Sequence, residues 1–398
     1  MSRLVDRFAP LIDGIRADAV RRELDDDRPR DAVARLAAAG IGAVRLAESD
    51  GGAGASIREL TELVVALSAA DSNVGHLLRG HFGFTELVLR RGPSEDRDTW
   101  IRRIADGAIV GNATSELTGT TLADISTTVS EGDDGAWRLD GRKYYSTGTL
   151  YSDWTYLAAG LGERRVTFAV PTDAPGVEVV DDWDGFGQRA TASGTTVFDG
   201  VPVDPADFAT YGEGQLTHIQ AFYQHYLDAV LAGIAEAIVR DAGDFVRPRS
   251  RSYVHANTAR PADDPQVLEV IGRLSTVAFA VRSAVLAGAD SLDAAVSATP
   301  AGEPVDAELL ARAEIDVYRG QILATDEVPA AAARMFEIGG ASATARTAAL
   351  DRHFRNSRVV ASHNPAIFKA RTVGEWELTG RSPLEIWARY ETVGPTRF

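Results

Sequence analysis

Chemistry in this chain could come from a small set of side chains. His363 lies in Ala361-Ser362-His363-Asn364-Pro365, and no carboxylate falls between 359 and 371. Imidazole titrates near neutral pH, so this position could take or give a proton. His76 and His81 are five residues apart, not at the i, i+4 spacing that puts two imidazoles on one helical face for zinc. No acidic cluster accompanies them, and no metal site is expected. Arg247, Arg249, Arg251 and Arg260 fall in one proline-containing basic stretch, and a guanidinium fork suits a phosphate. Ser146 offers a hydroxyl, and Asn112 an amide that can both donate and accept. The absence of cysteine excludes disulfides, thiolate zinc sites and cysteine nucleophiles. No G-x-G-x-x-G follows a strand pattern, so the chain is not expected to bind a nicotinamide cofactor itself.

These residues sit in a chain of 398 residues with 41 Lys+Arg against 57 Asp+Glu, a net charge of −16. No net cationic field is available to displace counterions from a nucleic acid. The first seven residues lack the apolar run of a signal peptide. Apolar stretches such as 32–46 are broken by Arg35 and Arg45, so no membrane span is expected and the expected compartment is the cytoplasm.

Three blocks must position the chemistry. The first ~110 residues read as helical. Leu60, Leu63, Val64 and Leu67 recur at helical spacing behind Ser56 and Glu59, a capping box. A second helix is expected over about 74–90, ending at Gly92-Pro93. From about Ile109, short runs rich in Thr, Val and aromatic residues (127–130, 137–139, 155–158, 166–170, 195–198) alternate with turn signals at Asp133-Asp134-Gly135, Asp140-Gly141 and Pro175-Gly176. After about 215, four long helices are expected at roughly 216–246, 265–291, 304–328 and 329–350. The expected domains are therefore an N-terminal helical domain (1–110), a central β domain (111–215) and a C-terminal helical bundle (216–398).

Several motifs along this order resemble the acyl-CoA dehydrogenase superfamily. Leu46-Ala47-Glu48-Ser49-Asp50-Gly51-Gly52-Ala53-Gly54-Ala55-Ser56 resembles its glycine-rich turn before a helix. Gly111-Asn112-Ala113-Thr114-Ser115-Glu116, with Gly119 and Thr121, falls at its flavin segment, here without the proline and the acidic end. Lys143-Tyr144-Tyr145-Ser146-Thr147-Gly148 falls at its isoalloxazine strand, and Gly339-Gly340 at a helix start that touches a neighbouring subunit's flavin. Fatty-acyl dehydrogenases place a catalytic Glu about 24 residues beyond that first Gly; the residue here is His363. That departure is similar to the reduced-flavin monooxygenase branch, the dibenzothiophene monooxygenase-like enzymes. They share Tyr145–Gly148, the run from Phe186 to Asp199, and above all the run from Asp351 to Arg371.

The resemblance implies an α+β, acyl-CoA dehydrogenase-like fold: an N-terminal helical domain, a central β-barrel-like domain and a C-terminal four-helix bundle. It implies reduced FMN or FAD and O2 as reactants, oxygen transfer through a C4a-hydroperoxyflavin, a separate NAD(P)H:flavin reductase, and a homotetramer. His363, Ser146, Asn112 and His76 become the expected catalytic residues. Asn112, Thr114, Ser115, Tyr145, Ser146, Thr147, Arg249, Arg251, Gly339 and Gly340 become the expected flavin contacts, the arginines for its phosphate. Gly80 stands where relatives carry an aromatic residue, and His81 is expected to be structural. Phe82, Phe84, Tyr145, Tyr151, Trp154, Phe222 and Tyr223 make an apolar, aromatic or heteroaromatic substrate plausible. An FAD-dependent acyl-CoA dehydrogenase with a relocated base and a non-catalytic flavin-fold binding protein are the alternatives.

Overall fold

The computed structural model describes residues 3–117, 125–210 and 217–385; Gly119 and Thr121 lie outside them. The first block folds as α1 (Arg3–Asp25), α2 (Arg30–Ala38), α3 (Ile57–Ala70), α4 (Ser72–Leu77), α5 (Arg79–Arg90) and α6 (Glu95–Ala105). The capping box forms as expected. Ser56 Oγ accepts from the Glu59 amide and the Glu59 carboxylate accepts from the Ser56 amide. The helix expected over 74–90 is instead two helices that meet at Leu78. The first starts at Ser72, because the Asp71 carboxylate caps the Asn73 amide (3.0 Å) while paired with buried Arg22 (2.8 Å).

The middle block contains β1 (Val110–Ala113), β2 (Thr128–Glu131), β3 (Trp137–Lys143), β4 (Trp154–Leu161), β5 (Arg164–Pro171), β6 (Val177–Val179), β7 (Thr196–Pro202) and β8 (Ala209–Thr210). Its sheet runs β6-β7-β3-β2-β4-β5-β8, with β1 added in parallel to β4. Val129, Leu139, Leu157, Phe168, Phe198 and Val201 fill its inner face. The turn expected at Asp140-Gly141 is a bulge inside β3, where the register against β7 shifts. Gly141 is required there: at φ +151° any Cβ would fall 2.4–2.6 Å from Thr127.

The last block comprises α7 (Ile219–Val246), α8 (Pro265–Ser297), α9 (Ala307–Arg334), α10 (Asp351–Ala361) and α11 (Ala366–Thr379). No fourth helix covers 329–350. The third continues through Pro329 to Arg334, and 3-10 turns follow between Met335 and Ala348. Two glycines break the helix: Gly339 packs under Phe245, whose ring would stand 2.3 Å from a Cβ, and Gly340 is at φ +52°. α8 also corrects the membrane reading, since by length and composition it could cross a bilayer. Here its Leu274, Val281, Val285 and Leu292 face the bundle core, while Leu268 and Phe279 face outward. One apolar core joins the two helical blocks, from Phe8, Leu36 and Leu63 through Leu231 to Val281 and Val317.

Candidate active site

The junction of α4 and α5 is covered by two loops, and polar side chains gather in the crevice between them. The loop after β3 carries Ser146 one turn beyond the strand, not on it as the motif suggested. Its backbone is tied on three sides: the Ser146 amide donates to the Gly194 carbonyl (3.1 Å), the Gly148 amide to the Thr191 carbonyl (3.0 Å), and the Thr149 amide to the Ser146 carbonyl (3.1 Å). Gly148, at φ +79°, leaves room for the Leu77 carbonyl 2.1 Å from where a Cβ would be, which seats this loop beside His76. Asn112 on β1 joins the same crevice. Its carbonyl accepts from Thr149 Oγ1 (3.1 Å), and its Oδ1 fills the space a Cβ at Gly80 would need, 2.7 Å away. The Gly80 departure therefore makes room for Asn112.

The second loop brings Gln188, in left-handed backbone geometry (φ +52°), beside the His76 ring. Its amide donates to Asn356 Oδ1 (2.7 Å) on α10, and Asn356 in turn donates to Ser72 Oγ (3.1 Å) on α4. Two residues past the end of α10 stands His363. The Asn364 amide, held by Gln224, donates to His363 Nδ1 (3.0 Å), which leaves the proton of the neutral ring on Nε2.

Electrostatics make the cleft unusual. Burial pushes His76 down to about 3, with Arg79 adding to the effect. His363 reaches water at the cleft mouth in the single chain, yet crowding by protein, then Arg79, then His76 hold it well below its ordinary value. The three basic side chains thus act on one another, and both imidazoles favour the neutral form. His363 is accordingly a neutral donor or base, and not the imidazolium acid that a pKa near neutrality would give. Both ring nitrogens of His76, Ser146 Oγ, Asn112 Oδ1 and both side-chain polar atoms of Gln188 are buried without a hydrogen-bond partner among the described residues. Native interiors rarely leave such groups unpaired, and so many in one cleft mark a place for a polar, planar ligand. A flavin ring, with its carbonyls and N–H groups, fits that donor set.

Of the other expected contacts, Thr147 is buried and bonded to Ser193 Oγ (2.7 Å). Ser115 gives its carbonyl to the Tyr144 amide (2.9 Å), and Thr114 is half-buried beside it. Tyr145, at φ +61°, clusters at the surface with Tyr144 and Trp183. Arg249 Nη1 donates to Ser342 Oγ (2.8 Å) beside Gly339 and Gly340, with its guanidinium over Phe245, whereas Arg251 is exposed. Phe245 lies 22 residues beyond Tyr223 on α7, roughly 33 Å along the helix. The two groups of expected flavin contacts are thus farther apart within one chain than a flavin nucleotide spans.

His81 is structural, as expected: Nε2 bonds the Gly42 carbonyl (2.9 Å) and Nδ1 accepts from the Val110 amide (3.1 Å). The aromatic lining does not form as expected, because Phe82, Phe84 and Phe222 are buried core residues and Trp154 packs on Trp100. Glu116 is no free base. Although burial pushes its carboxyl up, the Lys143 ammonium at 2.6 Å and the Ser126 and Thr127 amides hold it below the usual range. Sequence reasoning missed Gln188 and Arg79. The first was visible only as part of a motif, and the second had no signal beyond being basic.

Sequence comparison agrees with this architecture. Three family models match in order: the acyl-CoA dehydrogenase N-terminal domain over residues 11–108, the middle domain over 112–201 and the C-terminal domain over 226–366. The chain belongs to the acyl-CoA dehydrogenase family. Within it, the chain is similar to dibenzothiophene monooxygenase of Mycolicibacterium goodii, 27% identical over 88% of this chain and 87% of the relative. Among solved structures it is similar to FMN-bound TdsC of Paenibacillus sp. A11-2, with a TM-score of 0.87, 26% identity, and coverage of 96% of this chain and 98% of that one. Methanesulfinate monooxygenase MsuC of Pseudomonas fluorescens superposes with a TM-score of 0.86 and 25% identity over 96% of this chain and 98% of that one. These relatives are monooxygenases, which are oxidoreductases.

Proposed function

We propose that this chain is a two-component flavin-dependent monooxygenase. It takes reduced FMN or FAD from a separate NAD(P)H:flavin reductase and uses O2 to oxygenate a small organic substrate. The observation that carries this reading is the cleft itself: unpaired polar groups suited to a flavin, with a neutral imidazole where a dehydrogenase keeps its carboxylate. Abstraction of an acyl α-proton needs a positioned base, and the run 359–371 holds no carboxylate to take the place of the usual Glu.

Reduced flavin, when bound, supplies the electrons that activate O2; one oxygen atom enters the substrate and the other leaves as water. Asn112 and Ser146 hold and orient the ring from β1 and the adjoining loop. His363 presents Nε2–H to the reacting oxygen, while Asn364 fixes the tautomer through Nδ1. The buried walls around His76 and Gln188 exclude water, which limits loss of reducing equivalents to H2O2. The test is turnover with an NADH:flavin reductase. Oxygenated product should appear only when reductase, flavin and O2 are all present. A protein that is stably yellow as isolated and is bleached by an acyl-CoA would overturn the assignment in favour of a dehydrogenase.

The assembly follows from the separation along α7. Arg249, Gly339 and Gly340 serve a flavin lodged in a neighbouring copy, and the outward face of α8, with Leu268 and Phe279 exposed, is covered by another chain. We expect a homotetramer in light scattering, and Phe279→Asp should dissociate it with loss of turnover. A fully active monomer of 42.5 kDa would refute the shared site.

A further inference from the structure

Arg79 opens α5 with a guanidinium that has no acidic partner among the described residues. Its Nε donates to the Tyr223 carbonyl (3.1 Å), and the guanidinium lies over the Tyr223 ring, 4.8 Å from the centroid. Nη1 and Nη2 make no hydrogen bond to the described residues. The placement is built: Tyr223 comes this close to α5 only because residue 83 is glycine, where a Cβ would lie 2.1–2.4 Å from the ring. Other enclosed arginines use their guanidinium edge: Arg90, also without an ion pair among the described residues, donates Nη1 and Nη2 to the Thr299, Pro300 and Glu303 carbonyls, and three others are ion-paired. Arg22 pairs with Asp71, Arg45 with Glu86, and Arg352 with Asp241.

Nothing within the cleft offsets the Arg79 charge. Burial drags it down to about 10, and its aromatic neighbours Tyr223 and Tyr226 only partly resist. On the cleft side it faces His76 and His363, whose cationic forms it disfavours. Removing a cation from water without a counter-ion is costly, and the forked Nη1/Nη2 edge is the geometry that matches a planar oxyanion.

We propose that Arg79 is the anion-binding group of the substrate cleft, and that the substrate of the monooxygenase reading above carries an organic oxyanion, a carboxylate or a sulfur oxyacid. The inference rests on that reading for the word substrate, and on Arg79 alone for the anion. The neutral part of the molecule then extends toward His363, and Tyr223 acts as the positioning residue beneath the guanidinium.

Titration calorimetry of the full chain as isolated tests this with matched carboxylate and carboxamide pairs: benzoate and benzamide, indole-3-carboxylate and indole-3-carboxamide, hexanoate and hexanamide. At least one carboxylate should bind about tenfold or more tightly than its amide. Arg79→Ala should abolish that preference while leaving amide affinity within about twofold, and Arg79→Lys should retain part of it. The proposal is overturned if no carboxylate outcompetes its amide, or if Arg79→Ala weakens both members equally. It is also overturned if the variant loses reduced FMN while the preference persists, because the cation then serves the flavin. Carboxylate preference without reductase-coupled oxygenation would sink the monooxygenase reading and leave the anion site standing. Oxygenation without any preference would do the reverse.

Discussion

Replacing His363 with alanine is expected to lower product formation by about 10²-fold, equivalent to about 2.7 kcal/mol of transition-state stabilisation, while affinity for reduced flavin stays within about twofold. The side chain is exposed just beyond the end of α10 and carries no packing load, so its loss removes a donor without opening the core. Because Arg79 and His76 disfavour the cationic form of this exposed ring, the group lost is the Nε2–H donor. His363→Gln, which restores an N–H, should recover part of the rate. Ser146→Ala acts differently. Its hydroxyl is buried without a partner, so the variant should fold, bind substrate and divert a larger share of NADH into H2O2. Product and peroxide counted per NADH in the reductase-coupled assay read both effects. If both variants keep wild-type rate and coupling, the cleft described here is not where the reaction occurs.

Much of this site was legible because its residues sit in runs whose local order is dense. His363 could be counted from Gly339, Ser146 and Asn112 fell within motifs, and the structure brings His76 and His363 within electrostatic reach. Arg79 was not legible. A basic residue at the start of a helix reads as an ordinary solvated side chain, and only packing reveals that no carboxylate reaches it. That packing depends on Gly83 admitting Tyr223 from a helix more than a hundred residues away.

The errors in reading elements have the same origin. The pattern over 74–90 keeps helical spacing across Leu78, but the loop at Gly148 packs against the Leu77 carbonyl exactly where the two helices meet. Asp140-Gly141 has the composition of a hairpin turn, yet the chain carries straight on, because β7 supplies a partner on both sides of the bulge. The aromatic residues near the motifs misled for a related reason. Phe82 and Phe84 point away from the cleft and into two different cores, a choice of helical face that spacing alone left open.

Acidification should unfold this protein steeply, and the cause is its buried histidines. Burial pushes His76 down to about 3 and His81, His225 and His353 down to about 4. One has a neutral-ring partner that protonation disturbs directly: His81 accepts from the Val110 amide. Each folded-state value lies below the unfolded value of about 6.5, so between the two the unfolded chain binds more protons. Stability is therefore complete above about pH 6.5 and is lost as pH falls toward 4, on the order of 3 kcal/mol per histidine at the lower end. Among the described residues, two groups oppose them: Asp207, raised by burial, and more strongly Asp228. Asp228, buried with Oδ2 unpaired, is held well above its ordinary value by burial, with Lys369 pulling the other way. Its contribution is largest below pH 3.8 and fades as pH rises, which cancels about one histidine. The net slope should approach about three protons, enough to exhaust a typical stability of about 5–15 kcal/mol before pH 4. Tm should stay level from pH 8 to 7 and fall sharply below 6.5. His81→Gln should lower Tm at pH 8 yet flatten the acid limb by about one proton, since amide nitrogen and oxygen replace the two ring contacts without titrating. A Tm that holds constant from pH 7 to 4.5 would show that these imidazoles are not buried in neutral form.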